Sequence, residues 1–383
     1  MNYFYLDNAA TSWPKPPEVI AAMQEYLAHT GGNPGRSGHA LSIAAARSIY
    51  TTRELVAELF HFSDPLRIIF TANATTAINI ALFGLLKSGD QVITTAIEHN
   101  AVMRPLRELE QRGIRITIIP CSNEGLIDLS YLHRQITNKT KLVIINHGSN
   151  VIGTVQSLAE ISQIVHQTTA LFMVDAAQTA GVFPIDMQKL DIDLLAFTGH
   201  KGLYGPTGTG GLLISSRIDT KSFNPLYYGG TGSLSESEQQ PEYLPDKFES
   251  GTLNGVGLAG LAAGIRFVLN QGIEYIHYHE LNLIQMLLDG LSALPNVKIY
   301  GPNRTTNRIG VISFTIDNQS VSDIGLKLEE DYGILARVGL HCAPAAHKTI
   351  GSFPKGTVRF APGIYTTKED IAAVIEAVRT IAQ

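Results

Sequence analysis

The short apolar stretch Leu194–Thr198 runs directly into Gly199-His200-Lys201-Gly202-Leu203-Tyr204-Gly205-Pro206-Thr207-Gly208-Thr209-Gly210. Glycine at five places lets this backbone turn tightly and approach a ligand closely. Lys201 is the one strong functional group in it. The loop is not a Walker loop, because no Gly-Lys-Ser/Thr occurs, and its glycine spacing does not match the dinucleotide fingerprint. Taken alone, it also reads as an ordinary loop with a solvated lysine. Asp175, in Val174-Asp175-Ala176-Ala177-Gln178, ends another apolar run. A carboxylate there can bind a metal, move a proton, pair with a protonated ring nitrogen, or cap the next helix. Ala72-Asn73-Ala74-Thr75-Thr76 offers two hydroxyls and free N–H groups at a helix start, a seat suited to phosphate. Thr75 alone is equally an N-cap. Glu98-His99 places an imidazole beyond a third strand, where a single histidine is more often structural.

The elements that must hold these residues are legible as alternating short apolar runs and amphipathic segments. Strands are predicted at 67–71, 91–95, 114–119, 142–146, 171–174, 194–198 and 211–214, with helices at 75–86, 101–112 and 158–166 among them. The strands are rich in Ile, Val and Leu without polar alternation, as in strands covered on both faces. Strand–helix alternation predicts a mostly parallel α/β sheet. Open sheets of this kind bind ligands beyond the carboxyl ends of their strands, and Asp175, His99 and Lys201 all fall at such ends. From about residue 215 the texture changes. Residues 223–252 read as a long surface excursion, and 257–294 as a helical stretch broken near Gln271-Gly272. Strands at 308–316 and 357–360 and helices at 322–332 and 368–381 predict a second, α+β domain.

Composition bounds the function. The 383 residues are 44% hydrophobic and 16% charged, a globular balance that excludes a disordered chain. Twenty-nine basic residues against 34 acidic ones give a net charge of −5, which argues against nucleic acid as the main partner. No apolar run approaches the ~20 residues of a membrane span, and no signal peptide is visible at the N-terminus. Two cysteines cannot make a disulfide framework, and free thiols fit a reducing cytoplasm. The histidine spacing matches no zinc motif, so no metal is expected.

The order of the motifs carries a resemblance along nearly the whole chain. Asn33-x-x-Arg36-x-x-His39, Ala74-Thr-Thr76, Glu98-His99, His147-x-Ser-Asn150, Asp175-x-x-Gln178, Gly199-His-Lys201, Phe248-Glu-Ser-Gly-Thr252 and Arg337-x-Gly-x-His-Cys342-Ala follow one another. This string resembles the fold-type I pyridoxal-phosphate enzymes of the class V aminotransferase family, and within it the cysteine desulfurase and selenocysteine lyase-like proteins. The resemblance implies a large domain at 15–258 with a seven-stranded type of sheet. It implies a small domain formed by 1–14 with 259–383, bringing Cys342 and Arg359 to the cleft.

Residue by residue, the resemblance implies that Lys201 carries the cofactor covalently and Asp175 bonds its ring nitrogen. A ring so charged is the electron sink for carbanion chemistry. His99 is implied to stack on the ring, Gln178 to bond its phenolic oxygen, and Asn150 to lie beside it. Thr75, Thr76, Thr198 and His200 are implied to hold the phosphate. Thr252 is implied to reach the phosphate of a second subunit, hence a homodimer. Arg359, with Arg337 and Asn150, is implied to bind the substrate carboxylate, a task suited to a planar guanidinium.

Cys342 sits among small residues before Pro344, in a sequence suited to a turn that presents the sulfur. Arg337 and His341 are near enough in sequence to favour a thiolate, the reactive form. Cys121 lacks such neighbours and reads as structural. The implied reaction converts L-cysteine, or L-selenocysteine, to L-alanine. Its sulfur passes through a Cys342 persulfide to an acceptor protein, within sulfur metabolism and iron–sulfur cluster assembly. Another pyridoxal-phosphate lyase or aminotransferase is the alternative. Gly202, Ala77, Gly148, Val338, Leu340, Ala361 and Thr366 depart from the best-known desulfurases, whereas Leu340-His341-Cys342-Ala343-Pro344 together with Gly229-Gly-Thr-Gly232 resembles a particular bacterial subgroup.

Overall fold

The computed structural model describes residues 3–35 and 38–383, so Arg36 of the first motif lies outside the described residues. Strand β1 (Phe4–Tyr5) is short and stands apart from the large sheet. That sheet contains β2 (Ile68–Thr71), β3 (Gln91–Thr95), β4 (Arg115–Ile119), β5 (Thr140–Asn146), β6 (Leu171–Asp175), β7 (Leu194–Thr198) and β8 (Gly210–Ile214). Its order is β2-β8-β7-β6-β5-β3-β4. Strands β4, β3, β5, β6 and β7 pair in parallel, and β8 runs antiparallel to both β7 and β2. The sheet is thus mostly parallel, with one reversed strand.

Both faces are covered. Val143, Ile145, Phe172, Val174, Leu195 and Phe197 belong to one apolar cluster. Leu142, Ile144, Met173, Leu194 and Ala196, alternating with them along the same strands, belong to another. This two-sided burial is why the strands lack polar alternation.

The helices are α1 (Pro17–Glu25), α2 (Ala40–Leu59), α3 (Ala74–Leu85), α4 (Asn100–Gln111), α5 (Leu129–Gln135), α6 (Leu158–Val165), α7 (Gly255–Gln271), α8 (Ile273–Ser292), α9, α10 and α11. The last three span Val321–Tyr332, Pro344–Thr349 and Lys368–Ile381. Gly272, at φ +84°, makes the break between α7 and α8. A boundary at 258/259 falls inside α7, whose Leu261, Ile265 and Val268 pack in the core of the large sheet. Helix α2 was not legible in the sequence. It buries Ser42, Thr52 and Arg53 while exposing Leu41, Ile43 and Tyr50, so no clean apolar stripe marks it.

A second sheet is antiparallel. It is made of β9 (Val297–Tyr300), β10 (Ile312–Ile316), β12 (Arg337–Gly339) and β13 (Thr357–Phe360) in the order β12-β13-β10-β9. Strand β11 (Ile334–Leu335) pairs with β1. The N-terminal segment therefore joins this half of the molecule: Leu6 shares a core with Leu287, Phe314, Phe360 and Val374. The strand expected over 308–316 begins only at Ile312. Arg308 is fully buried, and its guanidinium bonds the carbonyls of Val311 and Pro302, which pins that stretch as a loop. The excursion at 223–252 contains no helix or strand, yet it is not wholly superficial. Phe223 and Phe248 are buried with ring centroids 4.6 Å apart, and Glu249 pairs with Arg53 at 2.5 Å.

Candidate active site

The ends of the parallel strands open into a cavity of about 310 Å³, within the size range of small-ligand pockets. The ends of β2, β3, β5, β6 and β7 deliver residues to it. After β2, Asn73 caps α3 by accepting from Thr76 N at 2.9 Å, which leaves Thr75 on the cavity wall. After β3, His99 caps α4: its Nδ1 accepts the Ala101 N–H at 3.0 Å. Nδ1 is therefore unprotonated. Burial and the neighbouring Lys201, Arg337, Arg104 and Arg359 press the His99 pKa down to about 4, so the ring is neutral with its proton on Nε2. Asp175 ends β6 and is buried, its Oδ1 accepting from Ala177 N at 2.9 Å. Burial raises its pKa, while the Ala177 bond and Lys201 oppose that. Gln178 follows, with Nε2 donating to Ala9 O at 3.0 Å.

Thr198 ends β7, and His200 and Lys201 follow it, all three on the cavity wall. Gly199 is needed here, because a Cβ would stand 2.1 Å from Thr209 Oγ1. Burial lowers the Lys201 pKa to about 8, with Asp175 opposing and Arg359 and Arg337 assisting. A neutral amine is therefore within reach near neutral pH. Burial also takes His200 down to about 4. From the second sheet, β12 and β13 set Arg337 opposite Arg359 in register, and both line the cavity. Arg359 Nη2 pairs with Asp7 at 2.5 Å, and its Nη1 donates to Asn150 O at 3.0 Å.

The structure thus brings together Thr75, His99, Asn150, Asp175, Gln178, Thr198, His200, Lys201, Arg337 and Arg359. Three expected residues stand outside that lining. Thr76 is engaged with Asn73, its Oγ1 lying 3.2 Å from Oδ1. Thr252 is exposed, with its Oγ1 3.5 Å from Asn33 Nδ2. Cys342 is exposed at the rim, and Arg337 Nη2 donates to its Sγ at 3.3 Å. Cys121 is half-buried, and burial pushes its thiol up to about 12, as for an inert structural cysteine.

Two residues were missed by sequence reasoning. Asp7, the partner of Arg359, is one. Glu98 is the other: fully buried, it bonds Asn146 N at 3.0 Å and Thr95 Oγ1 at 2.5 Å, and burial lifts its pKa to about 8. The available signal was an acidic residue directly after an apolar one, Leu6 before Asp7 and Ile97 before Glu98.

The residues present fit pyridoxal phosphate. Asn150 Oδ1, His200 Nδ1 and Arg359 Nε are buried without a hydrogen-bond partner, a costly state unless a bound group satisfies them. The open N-terminus of α3 suits a phosphate. Asp175 suits a protonated ring nitrogen, and Lys201 an imine bond to an aldehyde.

Comparison with known proteins agrees with this site. The family model described as Aminotransferase class-V matches residues 4–374. The chain is 36% identical over 385 aligned residues to a probable cysteine desulfurase of Methanothermobacter thermautotrophicus, covering 100% of this chain and 95% of that protein. It superposes on the apo cysteine desulfurase of Thermococcus onnurineus NA1 with a TM-score of 0.93 and 34% identity, covering 99% of this chain and 94% of the other. The S-sulfonic acid form of the cysteine desulfurase CsdA from Escherichia coli gives a TM-score of 0.88 and 31% identity, with 99% and 94% covered. With a fold-type I architecture and a cavity lined by the residues that the motifs single out, this chain belongs to the aminotransferase class V family and is cysteine desulfurase-like.

Proposed function

We propose that the protein is a pyridoxal-phosphate-dependent cysteine desulfurase that converts L-cysteine to L-alanine. The observation that carries this reading is the continuity from Lys201 and Asp175 in the cavity, through Arg337 on its wall, to Cys342 Sγ 3.3 Å from Arg337 at the rim. Lys201 would carry the cofactor, Asp175 its ring nitrogen, and Thr75, Thr198 and His200 its phosphate. When bound, the cofactor supplies a sink for the charge left at the substrate Cα.

This chain's own groups do the rest. The Arg359 guanidinium, held by Asp7 and Asn150 O, offers a fixed cation for the substrate carboxylate. Lys201, with its lowered pKa, is suited to take the Cα proton and return one. Cys342, as thiolate, attacks the substrate sulfur. The C–S bond breaks, an S–S bond forms, and protons delivered to the carbon skeleton complete alanine. The sulfur stays on Cys342 as a persulfide until a thiol acceptor takes it.

We include a homodimer in the proposal. Ile20, Leu27, Leu41 and Ile43, all between residues 17 and 59, are each more than half exposed, and apolar side chains left uncovered in this way are suited to a subunit contact. Sedimentation that shows a fully active monomer would remove this part. A second reading, selenocysteine lyase or another lyase or aminotransferase, is favoured by the position of Cys342 outside the cavity lining.

The deciding experiment incubates the purified protein with pyridoxal phosphate, L-cysteine and a reductant, and measures sulfide and alanine together. Equal amounts of both are expected, and borohydride should fix the cofactor on the Lys201 peptide. A protein that takes up no cofactor ends the whole reading. Cofactor uptake without sulfide leaves the second reading in its place.

A further inference from the structure

The turn that carries Cys342 is held in an unfavourable backbone state. His341 (φ +48°) and Cys342 (φ +58°) are consecutive non-glycine residues in the left-handed region, which persist only where the surroundings over-determine them. Here they do. Asn150 Nδ2 donates to His341 O at 2.7 Å, and Asn100 N donates to Cys342 O at 2.8 Å. Ala343 N closes the turn onto Leu340 O at 2.8 Å.

The third anchor is a chain of side chains with a determined direction. Val151 O can only accept, so Ser313 Oγ, 2.6 Å away, spends its single proton there. Thr357 Oγ1, 3.1 Å from Ser313 Oγ, must then donate to it. Its proton being spent, Thr357 Oγ1 accepts from His341 Nε2 at 3.0 Å. His341 is therefore the Nε2–H tautomer. Burial and the nearby Arg359 keep the ring neutral, with its pKa about 2. Ser313, Thr357 and His341 are all buried, so no water competes for these bonds.

We infer that His341 is a positioning residue for Cys342: its Nε2–H, fixed by the Thr357–Ser313–Val151 chain, holds the strained turn so that the sulfur stays at the rim against Arg337. The inference rests on the desulfurase reading for its purpose, though the geometry and its first test do not. Arg337 donors stabilise an anionic sulfur. A turn released from the chain relaxes out of the left-handed region and takes the sulfur away from that guanidinium.

The test compares four variants of the holoenzyme with wild type. Thr357→Ser and His341→Gln keep an acceptor or a donor in the chain, whereas Thr357→Val and His341→Leu remove one. The first readout is the rate of iodoacetamide alkylation at Cys342, followed by peptide mass spectrometry, with Cys121 as internal reference. Alkylation should slow by about tenfold in Thr357→Val and His341→Leu, and stay within about twofold in the conservative pair. With L-cysteine, kcat should fall in the same two variants while KM holds, since the cavity residues are untouched. Should His341→Leu fail to fold, the Thr357 pair carries the comparison. Equal alkylation in Thr357→Val and Thr357→Ser overturns the inference. The expected alkylation pattern in a protein that releases no sulfide keeps the inference and sinks the desulfurase reading instead.

Discussion

At the scale of single residues, the proposed reaction would divide proton chemistry from sulfur chemistry between two places. Asp175 and Lys201 lie inside the cavity and Cys342 outside its lining. Removing each should therefore fail differently. Asp175→Ala deletes a buried carboxylate next to Lys201. The fold should survive, but loss of Cα-proton exchange should reach about a hundredfold or more. Solvent deuterium incorporation at Cα measures this step directly. Near wild-type exchange would reduce Asp175 to a cap for the turn at Ala177. Cys342→Ala should bind cofactor and L-cysteine and exchange the Cα proton, yet release about a hundredfold less sulfide and alanine, because sulfur needs a nucleophile on which to leave. Selenocysteine has a better leaving group, so much of any lyase activity should remain. A Cys342→Ala protein that desulfurates cysteine at the wild-type rate would make the thiol a bystander.

At the scale of elements, most of what builds the cavity follows from short rules. Strands β3, β7 and β8 are wholly buried runs, and composition alone marks such strands. Asn73 and His99 begin α3 and α4 by capping them, and both lie between a strand and a helical pattern. Strand direction was not legible: two glycines and three apolar residues in β8 read the same either way, and only the pairing reveals its reversal. Nor was the Asp7–Arg359 pair, whose partners are 352 positions apart. That position 202 is glycine becomes explicable only in three dimensions, where a Cβ would stand 2.6 Å from Ala180 O. One element-level prediction follows from the α3 cap. Asn73 accepts from both the N–H and the hydroxyl of Thr76. Asn73→Ala should destabilise the protein by about 1 kcal/mol and free the first turn of α3, weakening cofactor retention. Equilibrium dialysis of pyridoxal phosphate with a melting curve checks both. Unchanged retention would detach the cap from the phosphate seat.

At the scale of the whole molecule, the two halves meet around a buried acid. Glu280 on α8 is 5% exposed and accepts from the backbone of Gly310 just before β10, and it adds to the burial that raises the pKa of Tyr204 in the Lys201 loop. A Cβ on Gly310 would come within 2.6 Å of Glu280 Oε2, so the packing is tight. Burial lifts the Glu280 pKa from 4.5 to about 8. The consequence for stability has a definite sign. Below pH 4.5 both folded and unfolded chains hold the proton, and Glu280 adds no pH dependence. Between 4.5 and 8 the unfolded chain releases it while the folded chain retains it, so stability falls as pH rises. Above 8 the loss is complete and constant. Glu280→Gln keeps the shape and cannot ionise. Its stability relative to wild type should therefore climb from pH 5 to pH 8, by about 2–4 kcal/mol. Every other titrating group, Glu98 and the buried histidines included, is common to both proteins and cancels in the difference. Melting temperatures of the two proteins, taken side by side at pH 5 and pH 8, make the measurement. A gap that is the same at both pH values would mean that Glu280 is already ionised in the folded protein, held by partners other than the Gly310 backbone.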